Sequence, residues 1–198
     1  MAEQQKGAES ARPDQHILDV ADRIVINAKT QRPSVCNAAE KLLVHQDIAR
    51  EYVPRIVEKL LAAKVELLGD EQTRSLAPGQ NVGVAGEPDW HTEYLDLRMA
   101  IAVVPTLDAA IAHINHYSTR HSDAIVTTDE ARAQRFLNQV DSAAVYWNAS
   151  TRFTDGGEFG LGAEMGISNQ KLHCRGPFSL PELTSTKFQI FGTGQIRN

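Results

Sequence analysis

Sulfur is scarce in this chain: two cysteines and three methionines among 198 residues. Cys36 and Cys174 stand far apart and form neither a disulfide framework nor a thiolate metal site. Aromatic residues make up only 6% of the chain, and basic residues do not outnumber acidic ones (20 against 25, net charge -5). No basic stripe with interleaved aromatics occurs, which argues against a nucleic-acid partner. No apolar run reaches the length of a membrane span and the N-terminus has no h-region, so a cytoplasmic protein without a membrane partner is predicted. The seven histidines do not fall into metal-ligand spacings. His113 and His116 share one turn of a predicted helix and are expected to face solvent, so no metal is predicted. What remains is ordinary: 42% hydrophobic and 23% charged residues, as in a soluble globular domain with or without an appendage.

The first fifteen positions, MAEQQKGAESARPDQ, are polar, small and aperiodic, and read as a disordered leader. From His16, Ile17, Val20, Ala21, Ile24 and Val25 recur at helical spacing, with Asp19 and Asp22 expected outside. KLLVH reads as a buried strand, and DIAREYVPRIVEKLLAAK as a helix that Asp47 caps and Pro54 kinks or splits. KVELLG is a further strand, and residues 70–90 look irregular. Then LRMAIAVV, DAIVTTD and AAVYWNA read as strands separated by the helices TLDAAIAHINHYS and DEARAQRFLNQVDS. Strands alternating with helices predict an α/β fold, a parallel sheet with right-handed crossovers, and active-site loops at strand carboxyl ends. Residues from Asn148 onward are rich in glycine and predict a long ordered loop. STKFQIFG closes the chain as an isolated strand, a candidate for pairing with another chain.

Cys36 is the residue whose setting asks for chemistry. Lys29 and Arg32 precede it, Pro33 breaks the segment before it, and Asn37 to Lys41 are good helix formers. A thiol at a helix start near positive charge is where a thiolate is stabilised, and backbone N–H groups there can serve an oxyanion. The bland alternative is a buried cysteine acting as a small hydrophobe. NASTR, from Asn148 to Arg152, offers an amide, two hydroxyls and a guanidinium, a donor set for carboxylate or phosphate. It is also the composition of a Ser/Thr turn with Arg152 paired to Asp155 or Glu158.

Three blocks, INAKTQRPSVCNAAEKLLVH, TEYLDLRMAIAVV and VDSAAVYWNASTRFTDGGEFGLGAEMGISNQKLHCRGP, resemble the gamma-glutamyl phosphate reductase (glutamate-5-semialdehyde dehydrogenase) family of the aldehyde dehydrogenase superfamily. The resemblance runs from about Ile17 to Arg197. It implies NADPH-dependent reduction of L-glutamate 5-phosphate to the semialdehyde in proline synthesis, with Cys36 as nucleophile forming a thioester. It implies that Glu93 contacts the nicotinamide-side ribose, the alternative being a solvated loop carboxylate. It favours Asn148, Ser150, Thr151 and Arg152 as the holders of the glutamyl end. The architecture it implies is an aldehyde dehydrogenase-like catalytic domain over residues 16–168 and a C-terminal oligomerisation arm over 169–198, pairing copies into a homo-oligomer. The family's chain is much longer, and the N-terminal part that builds most of its NADPH domain has no counterpart in this sequence.

Cys174 and Asn169 depart from residues common in that family and read as neutral drift. A second class of function follows from the absent part: a truncated, non-catalytic interaction module that keeps the fold and the dimerising arm. A third, outside the resemblance, is a cysteine hydrolase with His45 or His173 as base.

Overall fold

The run Arg98–Val104 is apolar at every position after its first residue, and the structure makes it the central strand of a sheet. The computed structural model describes residues 14–198, so the expected leader lies almost wholly outside the described residues. Asp14 caps the first helix, α1 (Gln15–Thr30), by accepting from the His16 N–H. The chain then runs β1 (Lys41–His45), α2 (Gln46–Ala62), β2 (Glu66–Gly69), α3 (Glu71–Leu76), β3 (Val82–Val84), α4 (Glu87–His91) and β4 (Arg98–Val104). These strands form one parallel sheet in the order β1-β4-β2-β3, so β4 is covered on both edges and buried on both faces. After α5 (Leu107–Tyr117), β5 (Ser122–Ile125), α6 (Glu130–Gln139) and β6 (Ala144–Trp147), β5 pairs with β6 in parallel.

All five expected strands are present and parallel, but they do not make one sheet. β5 and β6 stand apart with their own small core of Ile111, Phe136 and Val140. A cavity opens where β1 and β5 would otherwise meet.

The expected irregular stretch holds α3, β3 and α4 instead. Asp70 organises its start: one carboxylate oxygen accepts from the Thr73 N–H at 2.7 Å, the other from the Val103 N–H at 3.0 Å. That second bond is to β4 and could not be read locally. Pro54 does not split α2, which runs unbroken over 17 residues with the proline inside it. Arg50, whose carbonyl loses its bond to the missing proline N–H, lies on the exposed face where water can replace it. The cap of α2 is His45, whose Nδ1 accepts from the Asp47 N–H, rather than Asp47 itself.

The buried stripe of α1 is Leu18, Asp22, Val25, Ala28 and Lys29. Asp22, expected outside, is inside because Arg55 Nε at 2.7 Å and Lys59 Nζ at 2.6 Å donate to it from α2. A buried charge at a core position is tolerated only with such partners.

Beyond β6 the chain turns through a short 3-10 segment (Thr151–Phe153) and an antiparallel hairpin of β7 (Gly166–Ser168) and β8 (Gly176–Phe178), so the expected loop is partly strand. STKFQIFG forms no strand: Phe188, Ile190 and Phe191 are at least 92% exposed, and no described segment pairs with it. A strand needs a hydrogen-bonded neighbour.

Asp123 on β5 carries a pH prediction. Its carboxyl is enclosed, with Oδ2 accepting from the Ser118 and Ser142 hydroxyls. Desolvation lifts its pKa from the ordinary 3.8 to about 6, against the pull of those hydroxyls. A carboxyl with a raised folded-state pKa favours the fold below the unfolded value and loses that advantage as pH rises. Stability should fall by on the order of 3 kcal/mol between about pH 4 and pH 6 from this group. Urea denaturation of Asp123→Asn should show a flatter profile in that window than the unaltered chain. Identical slopes would remove the assignment.

Candidate active site

Cys36 sits on a turn, exposed to solvent, between α1 and β1. The helix expected after it does not form. The Ala39 N–H is taken by the Ala28 carbonyl of α1 at 2.9 Å, and the Ala38 N–H by Val35 at 3.0 Å, so the chain is turned straight into β1. Tertiary pairing overrides the propensity of Asn37 to Lys41. The thiol accordingly lacks a helix dipole, and its pKa is raised rather than lowered. Desolvation is the largest cause, with the Glu164 and Glu93 carboxylates adding to it; its own backbone N–H and Arg152 pull the other way.

Asn37, next to the thiol, is a buried hub. Its Nδ2 donates to the Thr154 carbonyl at 2.9 Å, and its carbonyl accepts from the Thr151 hydroxyl at 2.7 Å. Its Oδ1 accepts from Arg152 Nη1, while Arg152 Nε donates to Gln31 Oε1 at 2.8 Å. The guanidinium therefore clasps the Cys36 turn and does not pair with Asp155 or Glu158. Ser150 is buried and accepts from the Arg152 N–H at 3.3 Å. Asn148 lies apart from this clasp. Its φ is +55°, and its amide brackets Thr127, accepting from the N–H at 2.9 Å and donating to the carbonyl at 3.0 Å. The structure brings Thr151 and Arg152 to the Cys36 turn, with Ser150 capping the 3-10 segment that carries them, and leaves Asn148 at the far end of β6.

Glu93 is exposed and lines the same cavity, of about 860 Å³, as Cys36. The turn carrying it is held from both sides. Lys41 Nζ donates to the Thr92 carbonyl, and Glu40 accepts from the Tyr94 and Leu95 N–H groups at 3.1 and 3.3 Å. Glu40 is itself paired with the fully buried Lys29 at 3.3 Å. Burial lowers the Lys29 pKa and raises that of Glu40, each offset by the other's charge.

His121 was not singled out by the sequence. It lines the cavity, and burial lowers its pKa, keeping the imidazole neutral. Nδ1 meets the Ser122 hydroxyl at 2.7 Å; Ser122 meets the Thr154 hydroxyl at 2.6 Å, and Thr154 meets Tyr146 at 2.7 Å. Its Nε2 is buried without a partner among the described residues. A lone HSD tripeptide carries no such signal, because the partners arrive from 32 residues away. Of the histidines the sequence offered, His45 caps α2 at the opposite end of β1 from Cys36, and His173 contacts the Glu182 carbonyl.

Cys36, Glu93 and His121 precede β1, β4 and β5, whereas Thr151 and Arg152 come from the loop after the carboxyl end of β6. His113 is a correction: it is half-buried, its ring packed on Trp90 and Tyr117.

No protein-family model matches the chain. It is 67% identical over 180 residues to the gamma-glutamyl phosphate reductase of Koribacter versatilis, covering 91% of this chain and 44% of that protein. The enzyme of the same name from Dictyoglomus thermophilum is 61% identical, with 91% and 43% covered. The crystal structure of gamma-glutamyl phosphate reductase from Thermotoga maritima superposes with a TM-score of 0.88 at 55% identity, covering 91% of this chain and 43% of that one. Lactaldehyde dehydrogenase from Escherichia coli matches at 17% identity with a TM-score of 0.54, a likeness of fold alone. The chain thus has the aldehyde dehydrogenase-like fold, and it spans less than half the length of the curated relatives it matches.

Proposed function

We propose that this chain is the cysteine-bearing portion of a gamma-glutamyl phosphate reductase, reducing L-glutamate 5-phosphate to L-glutamate 5-semialdehyde in proline synthesis in the cytoplasm. The observation that carries the reading is the exposed Cys36, held on a turn by the Asn37, Thr151 and Arg152 clasp and sharing one cavity with Glu93 and His121. In this reading Cys36 Sγ attacks the acyl carbon, the bond from that carbon to the phosphate oxygen breaks, and phosphate leaves a thioester on the enzyme. NADPH, when bound, supplies the hydride that takes the thioester to the aldehyde level.

The chain's own residues divide the remaining work. Because the Cys36 pKa is raised, its proton must be removed as it attacks, and the neutral His121 imidazole that lines the same cavity, its buried Nε2 without a partner among the described residues, suits that role. The Ser122, Thr154 and Tyr146 hydroxyls fix that ring through Nδ1. Arg152 lies close enough to favour the thiolate and carries a charge that suits the glutamyl carboxylate or the phosphate. Glu93 suits the ribose hydroxyls at the nicotinamide end, beside the thiol it influences. No G-x-G-x-x-G sequence occurs in the chain, so the pyrophosphate grip of the cofactor is assigned to the part of the relatives outside the match.

The test supplies that part. The unmatched portion of the Koribacter enzyme, joined to or mixed with this chain, should give phosphate-dependent NADP⁺ reduction with glutamate 5-semialdehyde. Arg152→Ala should raise KM for the glutamyl substrate by at least about tenfold while moving KM for NADP⁺ little. Hydrolysis without cofactor, and no reductase activity, would replace this reading with the cysteine hydrolase. The exposed Phe188, Ile190 and Phe191 favour a second role within the first: a C-terminal arm pairing copies into a homo-oligomer.

A further inference from the structure

A second cluster of reactive side chains lies on the surface, and none of its three members lines the Cys36 cavity. Glu87 and His91 stand four residues apart on α4, so both point from one face of a single turn. His116 reaches the same point from α5. One ligand atom from each of the three lies within 4.8 Å of the other two, and all three side chains are exposed.

The rings around this point are packed. The Tyr117 ring packs against both imidazoles, with centroids 4.7 Å from His91 and 4.5 Å from His116, and the imidazoles themselves are in edge contact at 5.7 Å. The Tyr117 hydroxyl donates to Glu87 Oε1 at 2.7 Å, which fixes the carboxylate and leaves Oε2 open. His113, packed on Tyr117 at 4.5 Å and on Trp90 at 5.4 Å, backs the cluster from inside. Two imidazoles and a carboxylate held this way need little reorganisation to close on an ion.

We infer that Glu87, His91 and His116 form a binding site for a borderline divalent cation of the zinc class, clamping α4 to α5. Two nitrogen donors and one oxygen donor suit zinc, cobalt or nickel, whereas magnesium and calcium prefer oxygen throughout. Three protein ligands at an exposed point leave the remaining position to water. The spacing hid the site from the sequence, because His116 lies far along the chain from the α4 pair. The inference is independent of the reductase reading: it uses none of its residues.

The probe is the metal alone on the full 198-residue chain. Zinc is measured by equilibrium dialysis, cobalt by its visible absorption, and the melting temperature is recorded with and without metal. One zinc per chain should bind and raise the melting temperature, and magnesium should do neither. His91→Ala and His116→Ala should each weaken binding by at least about tenfold, and Tyr117→Phe by less. His173→Ala, an exposed imidazole elsewhere, should leave it unchanged. Because the ligands are exposed, apo variants should keep the parent's circular dichroism and melting temperature, which separates lost binding from lost folding. Zinc binding that survives both histidine variants, that is abolished by alkylating Cys36, or that is absent at millimolar metal would overturn the site.

Discussion

Cys36→Ser in the assembled enzyme is expected to lower turnover by at least ~10⁴-fold, because the hydroxyl neither attacks an acyl phosphate nor leaves from the adduct as a thiolate does. The same change should leave the melting temperature within about 1 °C, since an exposed surface position contributes little to folding. Loss of activity together with loss of fold would mean that the residue is structural. The thiol's acidity provides a second readout. Desolvation, Glu164 and Glu93 hold its pKa above the ordinary thiol value, so at neutral pH the protonated thiol dominates. Alkylation by iodoacetamide should therefore be slow at neutral pH and climb about tenfold per pH unit up to pH 9. Glu164→Gln and Glu93→Gln should speed it at pH 8, and Arg152→Ala should slow it. A fast, pH-independent reaction near neutrality would show a thiolate already stabilised, and would return the base from His121 to the local field.

What the sequence could reveal depended on whether the deciding interaction was local. The β4 run and the α2 face are long and periodic, and both formed where the pattern put them. β3 is only three residues long, and the Asp70 that starts α3 draws half its bonding from β4, so that stretch looked irregular. Asp22 and Lys29 occupy core positions of α1 because Arg55, Lys59 and Glu40 meet them there, which no helical pattern shows. The site divided in the same way. Cys36 was legible as an unusual thiol, yet its turn is set by Ala28 and by the clasp from Thr151 and Arg152, more than a hundred residues onward. His121 carried no local signal, since its meaning comes from a hydroxyl chain and a cavity that exist only after folding.

Lys29→Met should produce the largest loss of stability, about 3–5 kcal/mol, a major part of what a domain of this size has to lose. The Lys29 side chain is fully buried and that of Glu40 is 11% exposed, so neither charge can turn to water when the other goes. Removing the ammonium leaves a carboxylate under β1 with only the Tyr94 and Leu95 N–H groups to hold it. Burial already raises the Glu40 pKa, and loss of the lysine raises it further. A carboxyl with a raised folded-state pKa stabilises most below its unfolded value and loses that contribution as pH climbs through the folded one. The defect measured by urea denaturation should therefore be large at pH 8 and smaller at pH 5. The double variant Lys29→Met, Glu40→Gln should recover much of the loss at pH 8, because no unpaired charge remains. Additive losses, or a defect equal at both pH values, would show that the lysine acts through packing alone. The pair also has a functional reach. Glu40 anchors the turn that carries Glu93, so in the assembled enzyme Lys29→Met should raise KM for NADP⁺ more than it lowers kcat.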